Sequence, residues 1–192
     1  MKRQIIALNG WPQSGKSAVA EILQERYGAV IVDDGVILRY AAPILFRGIL
    51  PDDCFTQEGK LKSVEINGKT YTVRQALGYL GQCLEDFFGE DYIPDQTVRR
   101  IAELPDAPYY VLPSVRKGQG HFYNLAGGRT YEVHRPGIAK SENPFDVWDK
   151  CAVHASIQNY GTLDDLEDAV SHMMHHEFRD AGFCRLEMHK AA

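Results

Sequence analysis

The stretch Gly10-Trp11-Pro12-Gln13-Ser14-Gly15-Lys16-Ser17 fits the pattern G-x-x-x-x-G-K-[S/T] at every position. A short apolar run at residues 5–8 precedes it, and apolar residues at helical spacing follow it, namely Val19, Ile22, Leu23 and Tyr27. The pattern therefore predicts a buried strand, a glycine-rich turn and a helix, in that order. Glycines let successive backbone N–H groups of the turn point toward one anion, and the helix adds the positive end of its dipole. We name residues 10–17 the phosphate loop.

The side chains at the end of the phosphate loop predict a nucleoside triphosphate as the ligand. Lys16 is expected to bridge the β- and γ-phosphates, and the hydroxyl of Ser17 is expected to ligate Mg²⁺. The backbone up to Ala18 would surround the phosphates. The chain contains no Asn-Lys-x-Asp element of the kind that reads guanine. The pattern thus favours an ATP-dependent kinase, with ATP and Mg²⁺ as cosubstrates, over a GTPase.

Further apolar runs alternate with helical patterns along the chain. Strands are predicted at residues 5–8, 29–32, 109–112, 130–134 and 152–157. Strands that alternate with helices are typical of a parallel sheet covered on both faces. We therefore expect an α/β fold of the P-loop NTPase type, a doubly wound parallel five-stranded sheet in a single domain over residues 1–192. A possible lid is placed at about residues 115–128, around a glycine-rich stretch that begins at Gly118.

Local signals predict several other elements. The Asn67-Gly68 pair between two alternating runs predicts a β-hairpin with a type I′ turn, as an insertion at about residues 58–74. Residues 36–50 are apolar and are expected to be helical, with a break at Pro43. The last helix is expected to begin at Thr162 in a capping box with Asp165, and to turn an apolar stripe inward, made of Leu163, Leu166, Val170 and Met173.

Composition excludes few classes of protein. The chain has 192 residues, a formal charge of −5 and 44% hydrophobic residues, which suits one domain with a continuous core. No apolar run approaches the roughly 18 residues of a membrane helix. The apolar run near the start of the chain is too short for a signal peptide. Four cysteines occur without a CxxC pair, as expected of reduced thiols. We therefore expect a cytoplasmic protein with no membrane partner.

Three later stretches resemble the bacteriophage deoxynucleoside monophosphate kinases. They are Tyr110-Val-Leu-Pro-Ser-Val-Arg116, Tyr131-Glu-Val-His-Arg-Pro-Gly137, and residues 156–166 around Asn159, and the helix that contains Arg74 is similar as well. The resemblance implies a doubly wound P-loop fold, ATP with Mg²⁺, deoxynucleotide chemistry and, for a phage-encoded chain, the host cytoplasm. It also implies that Arg116 and Arg135 contact phosphates and that Asn159 borders the adenine.

The chain departs from that family at two positions near the acceptor. The family typically carries an Asp just after the third strand and a Glu a few residues beyond the arginine, where this chain has Ser114 and Gly120. The departures would fit an acceptor other than a free monophosphate. Enzymes similar to this family phosphorylate the 5-hydroxymethyl group of hydroxymethyluracil in phage DNA, and this acceptor is the leading hypothesis. A deoxynucleoside monophosphate acceptor is the alternative.

Two adjacent acids, Asp33 and Asp34, end the second predicted strand, and Arg39 follows them. A hydroxyl acceptor must lose a proton during transfer, and a carboxylate is the usual recipient, whereas a monophosphate is already anionic. The arrangement resembles that of shikimate, adenylylsulfate and polynucleotide kinases. We expect one aspartate to be the general base and the other to hold Mg²⁺ through water, with Asp33 as the metal candidate. That the pair merely caps the next helix stays open.

The acceptor-binding residues are expected to be Asp34, Arg39, Arg74 and Arg116. Two locally basic segments, residues 60–74 and 114–140, suggest a track for a nucleic-acid backbone in an otherwise acidic chain. An extruded base would stack on aromatic side chains, for which the candidates are Trp11, Tyr71, Phe122 and Tyr123. The expected partners are ATP and either DNA with a hydroxymethylated base or a free deoxynucleotide.

Overall fold

The computed structural model describes residues 4–141 and 146–178. These residues form two compact units. The first contains the described residues up to 32 and from 98 onward, and the second contains residues 33–97. The hairpin insertion expected at about residues 58–74 lies inside the second unit.

The described residues contain seven strands. They are β1 (Gln4–Asn9), β2 (Val30–Ile31), β3 (Ser63–Ile66), β4 (Lys69–Thr72), β5 (Tyr109–Leu112), β6 (Arg129–His134) and β7 (Val153–Gln158). Five of them form one parallel sheet in the order β2-β5-β1-β6-β7. The prediction of a five-stranded parallel sheet is therefore confirmed. The carboxyl ends of parallel strands meet at one edge of a sheet, and the phosphate loop starts at that edge, after β1.

Seven α-helices accompany the strands in the same part of the chain. They are α1 (Lys16–Tyr27), α2 (Val36–Leu45), α3 (Gln57–Leu61), α4 (Val73–Phe88), α5 (Tyr92–Glu103), α6 (Gln119–Leu125) and α7 (Leu163–Glu177). Within the described residues, none of these helices combines the length and the apolar composition that crossing a membrane requires.

The sheet of the first unit buries a separate apolar cluster on each face. On β1, Ile6 and Leu8 pack with residues of α1 and α7, whereas Ile5 and Ala7 pack with Ile101 of α5 and residues of α6. Successive residues of a strand point to opposite faces of the sheet. Because helices cover both faces, the residues on both faces are apolar. Helices therefore lie on both faces of the sheet, as the doubly wound prediction states.

The second unit has a core of its own beneath the hairpin formed by β3 and β4. The strands pair antiparallel with Val64 opposite Tyr71, and Val64 packs with residues of α2 and α4. Asn67 and Gly68 both have positive φ angles, 51° and 72°, as a type I′ turn requires. The predicted hairpin is confirmed.

Helix boundaries agree with the sequence where a capping residue marks them. Thr162 caps α7, since its hydroxyl accepts the N–H of Asp165 while the Asp165 carboxylate accepts the N–H of Thr162. Two expectations were wrong. The apolar stretch at 36–50 is helical only to Leu45, with Pro43 inside the last turn instead of at a break. Leu163 of the expected inner stripe is 59% exposed, because the first turn of α7 extends past the packed face.

Candidate phosphate-binding site

The phosphate loop has the backbone conformation that its glycines allow. Gly10, Gln13 and Gly15 have φ angles of 138°, 67° and 106°, all in the region that favours glycine. A side chain at Gly10 would put its Cβ 2.5 Å from the carbonyl oxygen of Val133 on β6. The loop closes with the N–H of Ser14 donating to the carbonyl of Trp11 over 3.1 Å. Left-handed residues in such a turn form a concave set of N–H groups suited to an anion.

Helix α1 begins at Lys16, within the phosphate loop, and leaves its N-terminus open to a ligand. The cap position is Gly15, no side chain caps the helix, and no acidic residue lies in the first turn. The first N–H groups of a helix lack partners within it, and its dipole favours an anion there. An oligophosphate would satisfy both requirements.

Lys16 and Ser17 occupy the first turn of α1. The Nζ atom of Lys16 donates to the carbonyl oxygens of Gly10 and Trp11 over 2.7 and 2.8 Å, so its ammonium folds back over the loop. Ser17 is exposed. A cation held over the loop and an accessible hydroxyl beside it are the groups that the sequence assigned to phosphate and Mg²⁺.

Asn159 is brought to the phosphate loop from the far end of the chain. It follows β7, is 7% exposed, and its side-chain N–H donates to the carbonyl of Ser14 over 2.8 Å. A Cβ at Gly15 would overlap this amide. The side chain that was expected to border the adenine is thus bonded to the loop backbone.

The two arginines that were expected to contact phosphates belong to the first unit and lie after β5 and β6. The guanidinium of Arg116 pairs with the carboxylate of Asp146 at 3.4 Å, and its backbone N–H donates to Gln119 over 3.0 Å. Arg135 is exposed. The residues expected to form a lid include α6, whose Gln119 and Gly120 are buried. Closure of this segment stays a prediction.

The predicted acids belong to the second unit, with Arg39 and Arg74. Asp33 is engaged locally, since its carboxylate pairs with Arg39 at 2.7 Å and accepts the N–H of Gly35 over 3.0 Å. Asp34 is only 4% exposed. The guanidinium of Arg74 donates to Gln57 over 2.9 Å. The two aspartates therefore have different surroundings, although they are adjacent in sequence.

A tryptophan that the sequence did not single out lies against the phosphate loop. The ring of Trp148 meets that of Trp11 edge to face, with centroids 4.8 Å apart. Its segment is held by Lys117, which donates its N–H to Val147 over 2.6 Å and accepts the N–H of Asp149 over 2.9 Å. Nothing in the local pattern around either tryptophan indicated this pairing.

The nearby contact between His121 and Asp149 joins the start of α6 to the same segment. Their side chains meet at 2.8 Å, and this hydrogen bond holds the pKa of the Asp149 carboxyl below its usual range.

Two expected stacking residues have other roles. Tyr123 is fully buried, so it cannot stack on a base, and Tyr71 packs edge to face on Tyr79.

The sheet order, the phosphate loop after β1 and the uncapped N-terminus of α1 define the P-loop NTPase fold that the sequence predicts. The crystal structure of TT1252 from Thermus thermophilus matches with a TM-score of 0.50 and 18% identity, over 92% of this chain and 98% of that chain. Dephospho-CoA kinase from Campylobacter jejuni matches with a TM-score of 0.50 and 13% identity, over 93% of this chain and 99% of that chain. No family model and no curated protein matches the chain.

Proposed function

We propose that this protein is an ATP-dependent kinase that transfers the γ-phosphate to a hydroxyl group on a deoxynucleotide acceptor. The observation that carries the proposal is the phosphate loop itself, with three left-handed residues, an uncapped helix N-terminus and the ammonium of Lys16 in one place. A match to a solved structure named as a kinase, over nearly all of both chains, agrees with this activity.

Lys16 provides the charge that a triphosphate needs. Two of its present partners, the carbonyl oxygens of Gly10 and Trp11, carry no net charge. A phosphate oxygen carries a negative charge, so its attraction for the ammonium includes a full charge–charge interaction. We therefore propose that the ammonium leaves the loop carbonyls and moves to the β- and γ-phosphates when ATP binds. Release of those carbonyls would couple nucleotide binding to a small rearrangement of Gly10 and Trp11.

Magnesium would be held by the hydroxyl of Ser17, which is exposed in the first turn of α1 and is an oxygen donor of the kind that Mg²⁺ prefers. When bound, the ion neutralises negative charge on the phosphates. Asp33 suits this role less well than the sequence suggested, because both of its carboxylate oxygens already have partners, Arg39 and Gly35. We propose that Asp33 orients Arg39.

Asp34 is the proposed general base. In the reaction the acceptor oxygen attacks the γ-phosphorus, and the bond from that phosphorus to the bridging oxygen breaks. ADP leaves with the electron pair, and the hydroxyl proton passes to the Asp34 carboxylate. The assignment is supported by the position of Asp34 shortly after β2 and by its burial, which keeps water from the carboxylate.

The proposed acceptor is the 5-hydroxymethyl group of hydroxymethyluracil in DNA. This acceptor is supported by the resemblance to phage deoxynucleotide kinases and by Ser114 and Gly120 in place of that family's acids. It is also supported by Asp34, because a hydroxyl acceptor needs a carboxylate to take its proton. The resemblance alone also supports a deoxynucleoside monophosphate as the acceptor, which would need no base.

Radiolabelled ATP distinguishes the two acceptors. The protein is incubated with hydroxymethyluracil DNA, with unmodified DNA of the same sequence, and with each free deoxynucleoside monophosphate. We expect label in the hydroxymethyluracil DNA alone. Label in deoxynucleoside diphosphates alone would replace the DNA acceptor with the monophosphate, and no transfer to any of them would refute a deoxynucleotide kinase.

Variants then test the residues. Lys16→Met should abolish transfer, while Lys150→Met, which removes an exposed lysine of the same unit, should leave it unchanged. Asp34→Asn should lower kcat by about 10²–10⁴-fold, the usual contribution of a general base. Asp33→Asn should lower it less. Equal and small losses in both aspartate variants would remove the base from the mechanism.

A further inference from the structure

Asn159 joins two parts of the first unit that are far apart in sequence. Its backbone N–H donates to the carbonyl of His134 at the end of β6 over 2.8 Å, and its side-chain N–H donates to the carbonyl of Ser14 over 2.8 Å. The residue is 7% exposed, so both bonds are shielded from water. The sheet edge therefore holds the phosphate loop at one specific carbonyl.

The position of that carbonyl determines the direction of the next N–H group. The described residues contain no cis peptide bond, so the carbonyl of Ser14 and the N–H of Gly15 lie in one peptide plane and point in opposite directions. Since the carbonyl points at Asn159, the N–H of Gly15 points away from it. Gly15 has a φ of 106°, and left-handed residues in such a turn supply N–H groups to an anion-binding concavity.

Gly15 and Asn159 are also matched in shape. A Cβ on residue 15 would overlap the Asn159 amide, so the close approach of the side chain requires glycine at this position. The carbonyl of Gly15 accepts the N–H of Val19 in the first turn of α1 over 2.9 Å. Gly15 is therefore in contact with Asn159 on one side and hydrogen-bonded to the first turn of α1 on the other.

We propose that Asn159 is a positioning residue, which holds the phosphate loop in its anion-binding conformation and does not recognise the adenine. This role rests on the proposed function in one respect, namely that the loop binds the phosphates of ATP. The two roles predict different results. If Asn159 positions the loop, its loss should weaken the binding of a ligand that has phosphates and no base, whereas the loss of a base-contacting residue should not.

The test compares two substitutions with a matched control. Asn159→Ala removes the amide, and Asn159→Asp keeps the size of the side chain but has no hydrogen-bond donor when ionised. The control is Tyr110→Phe, because the Tyr110 hydroxyl also donates to a backbone carbonyl of the first unit, that of Pro105, over 2.6 Å. Calorimetry measures the affinity of each protein for a nonhydrolysable ATP analogue and for inorganic tripolyphosphate, both with Mg²⁺.

We expect both Asn159 variants to bind the analogue and tripolyphosphate about tenfold more weakly, as for the loss of one buried hydrogen bond. Tyr110→Phe should lower the melting temperature without changing either affinity. The chain has two tryptophans, Trp11 in the loop and Trp148 beside it. The emission of the free protein should therefore change in Asn159→Ala and not in Tyr110→Phe.

Three results would overturn the proposal. Weaker binding of the analogue with unchanged binding of tripolyphosphate would assign Asn159 to the base, and unchanged binding of both would remove it from the site. An equal loss of affinity in Tyr110→Phe would make the effect one of general stability. If the unaltered protein binds neither ligand, the proposed kinase function fails with it, and this result is distinct from the other three.

Discussion

Gly10→Ala tests the close approach of the phosphate loop at residue 10 to the backbone of β6. The new Cβ would lie 2.5 Å from the carbonyl oxygen of Val133 and 2.8 Å from the hydroxyl oxygen of Ser14, both inside van der Waals contact. Neither neighbour can move freely, because Val133 belongs to a strand paired on both sides and Ser14 is buried. The alanine would also have to adopt a φ of 138°.

The expected cost has two parts. A positive φ costs an L-residue about 1–2 kcal/mol, and forcing a methyl group into a packed site costs about 1–3 kcal/mol more. For a chain of this size each kcal/mol lowers the melting temperature by about 2–4 °C, so we expect a fall of about 10 °C. Binding of Mg-ATP should be lost as well, because the loop must open to admit the methyl group.

The control is Gly137→Ala in the same unit. Gly137 has a φ of 77°, and a Cβ there would meet nothing within 4 Å, so the substitution carries the backbone cost alone. We expect a fall of about 3–6 °C. Differential scanning calorimetry of both variants separates the two parts. Equal shifts in melting temperature would refute the reasoning, since contact with Val133 would then contribute nothing.

Three further outcomes are expected. Thr162→Ala should destabilise the protein by about 1 kcal/mol through loss of the α7 cap, measured by urea unfolding; no change in the midpoint would contradict this. The hydrogen bond from His121 lowers the pKa of Asp149 in the folded state, so its stabilisation is present above the unfolded pKa of Asp149 and is lost as the pH falls through the folded value. Asp149→Asn should therefore flatten the acid side of the stability profile, and an unchanged profile would exclude the pair. Gly68→Ala should cost about 1 kcal/mol in the hairpin turn, where φ is 72° and the space is open, and circular dichroism melting should detect it; an unaltered melting curve would show that the turn tolerates a side chain.

Much of the fold could be predicted because its signals are local. The phosphate loop, the Asn67-Gly68 turn and the Thr162 cap each depend on residues within a few positions of one another. The strands could be found because both faces of the sheet are covered, which makes each strand a continuous apolar run. The helix over 36–50 was overextended, since apolar composition does not mark where a helix ends.

The site was predicted less completely than the fold. Lys16 and Ser17 were assigned from the motif that contains them, and their placement in the first turn of α1 agrees with it. Asn159 was associated with the nucleotide through a resemblance, but its bond to Ser14 was not foreseen. No local pattern marks Trp148 as a neighbour of the phosphate loop.

The order of residues in this chain is sufficient to establish the strand, the glycine turn and the open helix N-terminus, because each follows from the dihedral and hydrogen-bonding preferences of neighbouring residues. The contacts that hold that turn in its conformation could not be predicted from the amino-acid sequence alone. The Asn159 amide, the Trp148 ring and the Val133 carbonyl reach the loop from distant segments, and folding of the sheet is what brings them there.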